Sequence, residues 1–259
     1  MDGKPNWTGW HTFGLLAIIA AIMLIGLLAS SGDKLCAWLG IIALMAVFTT
    51  VAGHGVTGLW RGLLIDERNK ISLSRLQMTL WTIVVLSGFF TAALSNLRNG
   101  QTAPLSIAVP SELWLLMGIS TTSLVGSPLI KSGKRAKEPR QAERDCTFDL
   151  IAKQGGDINK VTNKGQIVVN TTPEEARWSD LFRGEETGNA AQLDLAKIQM
   201  FYFTLILVLA YATALGAALA GSAAKIAGFP ALDPGMVALM GISHAGYLTN
   251  KAVPHSETD

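Results

Sequence analysis

Long apolar runs dominate this chain. Residues 13–30, 35–53, 79–97, 113–130 and 201–220 each string together 18 to 20 almost uncharged residues. A helix of that length, rising about 1.5 Å per residue, matches the hydrocarbon thickness of a bilayer. Inside a bilayer the backbone must satisfy its own polar groups, so helices are the form such runs take. A sixth run, 236–250, is weaker because Ser243, His244 and Asn250 interrupt it, and it needs neighbours to shelter those groups. Charged residues make up only 15% of the chain, against about a quarter in soluble domains. The expected fold is an all-α integral membrane protein with about six transmembrane helices.

The basic residues give an orientation. With the N-terminus inside, all 21 Lys and Arg residues except Lys34, Arg98 and Lys225 fall in cytoplasmic segments, as the positive-inside rule requires. Both termini and residues 131–198 are then expected in the cytoplasm. The first run also ends on Ala29-Ser30-Ser31, a small-residue triplet that fits a cleaved signal peptide. Asp2 offsets Lys4 ahead of that run, however, and Gly32-Asp33-Lys34 turns directly into the second run, so a helical hairpin reads better. Cys36 and Cys146 fall on opposite sides and cannot meet in a disulfide.

The chain carries an internal repeat. At a shift of 122 residues, 58–94 aligns with 180–216 without a gap, pairing Trp60 with Phe182, Arg61 with Arg183, Gln77 with Gln199 and Thr82 with Thr204. At a shift of 123, Leu116-Met117-Gly118-Ile119-Ser120 recurs as Leu239-Met240-Gly241-Ile242-Ser243. Each copy reads as an interfacial segment followed by two spans, and both copies start inside. The repeats are therefore parallel, unlike the inverted repeats of many carriers. The expected organisation is an N-terminal hairpin (1–53), repeat 1 (54–133), a small cytoplasmic insert (134–179) and repeat 2 (180–259).

The signatures Ser72-Leu-Ser-Arg-Leu-Gln77 with Leu116–Ser120, and Asp194-Leu-Ala-Lys-Ile-Gln199 with Leu239–Tyr247, resemble a group of uncharacterised bacterial membrane proteins. The resemblance covers roughly 58–133 and 180–254. It implies a bacterial inner membrane and no particular chemistry.

Candidate functional residues are polar and uncharged. No span carries Asp, Glu, Lys or Arg well away from its ends, which argues against a proton pump, a voltage sensor or a carboxylate-ringed cation pore. Gln77 and Gln199 sit about a turn into their spans, where amides can either face water or clamp helices together for about 0.6–2 kcal/mol each. Thr82, Thr204 and the run Ser120, Thr121, Thr122, Ser123 add hydroxyls, which helices also satisfy on their own carbonyls. His244 is the single histidine inside a span, either a pH-sensitive gate or a hydrogen-bond partner between helices. His54, between Gly53 and Gly55, reads as an interfacial residue in a flexible turn, and His11 and His255 as terminal. Four scattered histidines give no metal site.

Ahead of the second repeat, Thr172 and Pro173 suit a helix start, with Trp178, Leu181 and Phe182 on one face. An amphipathic interfacial helix over 173–183 is expected, with Trp60, Arg61, Trp178, Phe182 and Arg183 at the membrane interface. Residues 166–170 suit a strand, but the insert is too short for a robust core of its own. It contains no phosphate loop, triad or carboxylate pair, so no enzyme, cofactor or nucleic-acid partner is expected. Two functions fit: a homo-oligomeric channel with an uncharged polar path, or a non-conducting anchor that recruits a cytoplasmic protein.

Overall fold

The computed structural model describes residues 7–28 and 33–258. Lys4, the triplet Ala29-Ser30-Ser31 and Gly32 lie outside the described residues. Seven α-helices appear among those described: α1 (Gly9–Leu28), α2 (Lys34–Thr57), α3 (Leu73–Arg98), α4 (Ser111–Arg135), α5 (Gln141–Lys153), α6 (Leu195–Ala220) and α7 (Pro234–Ala252). Between α5 and α6 lies an antiparallel hairpin of β1 (Val161–Lys164) and β2 (Ile167–Asn170). Five helices, α1, α2, α3, α4 and α6, are long and apolar enough to cross a membrane. The sixth run forms α7, 19 residues long, whose polar groups keep it outside that set.

The sequence explains the helix ends. Asp194 accepts a bond from the Lys197 amide at 3.2 Å to open α6, and Asp233 one from Gly235 at 2.8 Å to open α7. Gly58, at φ 76°, closes α2 in the left-handed conformation, and its amide bonds the His54 carbonyl.

The chain packs as two compact units. Unit 1 comprises residues 1–63, 78–117 and 205–237, and its interior is mainly apolar: Trp38, Ile41, Trp81, Leu113, Leu215 and Leu219 are fully or almost fully buried. Small residues let its helices close up. A side chain at Gly88 would strike Leu215, and one at Gly216 would press on Trp38 at 3.0 Å. Buried Asn96 ties two loops together, donating to the carbonyls of Pro104 and Ile226 and accepting from the Ile226 amide at 2.8 Å. Lys34 reaches past the end of α6 to the carbonyls of Gly221 and Ala223, at 2.7 and 3.0 Å, where a cation meets the negative end of the helix dipole.

Unit 2 comprises residues 64–77, 118–204 and 238–259. The strand expected at 166–170 is β2, and Ile167, Val168 and Val169 are buried. It does not stand alone. The Asn170 amide bonds the Arg68 carbonyl, the Val168 amide that of Glu185, and the Thr187 amide that of Gln166, each at 2.9 Å. Ser256 and Glu257 strap the C-terminal segment across the same region, on Thr187, Gly188 and Arg140. The insert thus obtains its core from the segments that lead into and out of the long helices.

Two local expectations change. The stretch 173–183 is not an amphipathic helix: two short 3-10 turns, Pro173–Glu175 and Trp178–Leu181, are separated by extended Ala176 and Arg177. Ala176 and Leu181 both turn inward, and Asp180 folds back onto the Arg177 amide at 2.8 Å, so no single apolar stripe forms. The lead-ins to α3 and α6 also differ. The Ser72 amide closes a loop onto the Leu64 carbonyl, eight residues back, while that of Asp194 reaches twelve residues back to Phe182. Leu59–Gly62 therefore does not hold the structural place of Leu181–Gly184. The helices themselves match: α3 and α6 both have 26 residues and start 122 apart.

Candidate functional site

The interior of unit 2 is polar, and helix periodicity builds it. On α4, Ser120, Ser123, Ser127, Lys131 and Lys134 recur every three or four residues and are all buried. On α7, Met240, the adjacent Ser243 and His244, Tyr247 and Lys251 follow a similar spacing and are buried, and α3 adds Ser74 and Gln77. Such spacing places each set on one helix face.

The sequence candidates divide here. Gln77, Ser123 and His244 come together: the Gln77 amide meets His244 Nε2 and Ser123 Oγ meets His244 Nδ1, each at 2.5 Å. With the amide donating to Nε2, the imidazole proton sits on Nδ1 and goes to Ser123. Ser120 is buried nearby in sequence, but its hydroxyl has no partner among the described residues, and neither do Ser74 Oγ, Ser243 Oγ and Gln77 Oε1. Thr204 is buried and satisfies itself on the Met200 carbonyl at 2.8 Å. Gln199, Thr121 and Thr122 are exposed, and Thr122 bonds the Gly118 carbonyl of its own helix. The hydroxyl run is thus split between two faces of α4, and Gln77 and Gln199 have unlike environments.

Next along the same stripes lies a cluster of charges that the sequence reading missed. Glu185 Oε1 accepts from Arg68 at 3.2 Å, Lys197 at 2.9 Å and Lys251 at 2.9 Å. Asp66 holds Arg68 at 2.8 Å and Lys131 at 3.1 Å, and Lys134 pairs with Glu186 at 2.5 Å. Lys251 continues to Ser127 and Tyr247, each at 2.5 Å. Burial alone would raise the carboxyls of Asp66 and Glu185; the surrounding cations win and hold both well below the usual range. Burial would likewise lower Arg68, but Asp66 and Glu185 keep it above its ordinary value. The helix-end lysines were visible in the sequence. Their partners Asp66, Glu185 and Glu186 were not, because they arrive on the lead-in loops.

No known protein family, curated protein or solved structure matches the chain. The site stands on its own geometry.

The remaining candidates fall elsewhere. In unit 1, Thr82 borders an open apolar cavity of about 650 Å³, lined by residues such as Ile22, Met45, Phe48, Leu86 and Phe90. Trp60 is exposed and packs on His54, with ring centres 4.3 Å apart. His54 belongs to α2, not to a flexible turn, and lies 2.9 Å from His11 Nε2. The Thr8 amide donates to His11 Nδ1, so His11 Nε2 carries the proton and donates it to His54 Nδ1. The flanking glycines admit this pair: a Cβ on Gly55 would meet the Trp7 ring at 2.5 Å, and one on Gly53 the Leu63 amide at 2.6 Å. In unit 2, Trp178 is exposed and Phe182 stands edge-on to Phe201 at 5.1 Å. Arg61 and Arg183 are half-buried.

Proposed function

We propose that the protein is a non-conducting membrane anchor whose charged unit is a rigid face for a cytoplasmic protein. The reading takes α7 as a sixth span beside the five long apolar helices, both termini in the cytoplasm of a bacterial cell, and the two repeats as parallel copies. One observation carries it: of the polar groups offered by the sequence as a path, Gln77, Ser123 and His244 bond one another, Thr204 bonds its own helix, and three more turn outward. Gln77, Ser123 and His244 are bonded in one chain, whereas Gln199, Thr121 and Thr122 are exposed. A hydrated pore needs such groups facing a common lumen. Glu185, meanwhile, joins Arg68, Lys197 and Lys251 from three separate segments, which is the wiring of a fixed platform. The exposed side of α5, including Asp145, Asp149 and Leu150, is the natural contact face.

The exposure of Thr121 and Thr122 favours one alternative, a channel formed between copies of the chain in a homo-oligomer. Reconstitution in liposomes separates the two. The anchor reading expects no flux of K⁺, Cl⁻ or H⁺ above protein-free vesicles. Flux that disappears in the Thr121→Val/Thr122→Val variant, with assembly intact, would establish the channel instead.

A further inference from the structure

Unit 2 contains more positive charge than its ion pairs use. Its buried cations, Arg68, Lys70, Lys131, Lys134, Lys197 and Lys251, outnumber its buried carboxylates, Asp66, Asp180, Glu185 and Glu186. The excess has an address. Lys70 is 7% exposed, yet among the described residues its ammonium makes no ion pair and no hydrogen bond. It borders a small polar cleft of about 50 Å³, together with Arg177, Arg183, Lys160 and Asp180. Three acids line it too, each with a partner: Glu175 pairs with Lys160 at 2.9 Å, Asp180 accepts from the backbone amides of Arg177 and Ile71, and Asp157 from that of Asn159 at 3.0 Å. The Arg177 side chain lies against the Asp180 backbone, and the Arg183 guanidinium makes no hydrogen bond or ion pair with a described residue. A buried ammonium with no ion pair, attracted by Asp180 only from beyond contact distance, is costly, and most proteins avoid it.

We propose that this cleft is a binding site for a phosphate group, with Lys70 at its base and Arg177 and Arg183 closing over the oxygens. Guanidinium groups suit phosphate because their fork matches two oxygens at once. The cleft is small, about 50 Å³, which suits a single phosphate group better than a nucleoside. Burial draws the Lys70 ammonium down to about 8, Asp180 opposing and Arg68 and Lys197 adding repulsion. Lys70 therefore works against folding while charged, and a bound dianion reverses that. The phosphate could belong to a free monoester or to a lipid headgroup, which present the same oxygens.

The test uses the full chain purified in detergent and, separately, in nanodiscs. Inorganic phosphate and glycerol phosphate are titrated in detergent by equilibrium dialysis. Nanodiscs of phosphatidylcholine with and without phosphatidic acid are compared by thermal unfolding. Saturable binding in detergent identifies a free anion; stabilisation confined to phosphatidic acid identifies a headgroup. In either case Lys70→Met and Arg183→Gln should each weaken the effect at least ten-fold, while Lys225→Gln, in unit 1, leaves it unchanged. Lys70→Met should unfold no earlier than the parent without phosphate. Arg183→Gln, at a half-buried position, keeps the test decisive if Lys70→Met does not fold. Absence of saturable binding in both settings, or equal binding by Arg183→Gln and the parent, would overturn the site.

Discussion

The two units share four helices, since α3, α4, α6 and α7 each contribute residues to both, yet their interiors obey different rules. Unit 1 is held by apolar side chains and close backbones, with isolated polar links such as the Trp38 indole to Ser87 at 2.9 Å. Unit 2 is held by ions, with all four buried carboxylates among the described residues. The contrast teaches that a span is not one environment. A single helix such as α4 changes its inward face from Leu113 and Leu116 to Ser120, Ser123, Ser127, Lys131 and Lys134.

That comparison can be broken most sharply at Glu185. Replacing it with alanine leaves Arg68, Lys197 and Lys251 without their shared acceptor, and removing one partner from a buried ion cluster costs about 3–5 kcal/mol. Hydrogen exchange should accelerate at Ile167–Asn170 and in residues 185–187, whereas Asn96 and its loops in unit 1 keep their protection. Equal loosening of both units would show that they are one cooperative body.

Acid should separate the units next. Asp66 and Glu185 titrate below their ordinary values in the folded chain. Their stabilising contribution is therefore complete above about pH 4, the unfolded range, and is lost as pH falls through the lower folded values. Unit 2 should loosen first on acidification. Six of the seven tryptophans lie in unit 1 and only Trp178 in unit 2, so the fluorescence of a Trp178→Phe variant reports unit 1 alone and should stay native-like where exchange in unit 2 has risen.

The glutamines give a smaller but more specific test. Gln77→Leu removes a bond to His244 at a fully buried position and should cost about 1–3 kcal/mol in thermal or denaturant unfolding. Gln199→Leu, at an exposed position, should change stability by no more than about 0.5 kcal/mol. Equal effects would mean that Gln199, though exposed in the single chain, is held by a partner.

Much of the helical framework was legible because long apolar runs have few physical solutions: α2, α3, α4 and α6 contain the runs at 35–53, 79–97, 113–130 and 201–220. His244 and Ser123 were legible as polar residues in apolar sequence, but their meeting depends on how α4 and α7 are rotated, which spacing alone does not give. The stripe Ser120–Ser123–Ser127–Lys131–Lys134 is readable in principle; the lysines also satisfy the positive-inside pattern, which masks their burial, and the adjacency of Thr121 and Thr122 hides the helical face that the serines share. Glu185 was hidden for another reason. Its loop gains four residues relative to the lead-in of α3, so a gapless comparison could not show what it reaches. The His11–His54 bond links residues 43 apart across a hairpin, and the glycines beside His54 suggested flexibility where they provide clearance.

The central claim is that the polar interior of unit 2 is a packed core and not a water-filled path, and cysteine accessibility tests it most directly. Ser123→Cys and Thr121→Cys are made separately in a chain lacking Cys36 and Cys146, reconstituted in liposomes, and treated from both sides with a small, water-soluble methanethiosulfonate. The account predicts that the thiol at position 123 stays unmodified until the protein is denatured, whatever the reactivity at position 121. Rapid modification at position 123 in the folded protein, blocked by a permeant ion or by a bulky group at His244, would contradict it and restore the channel.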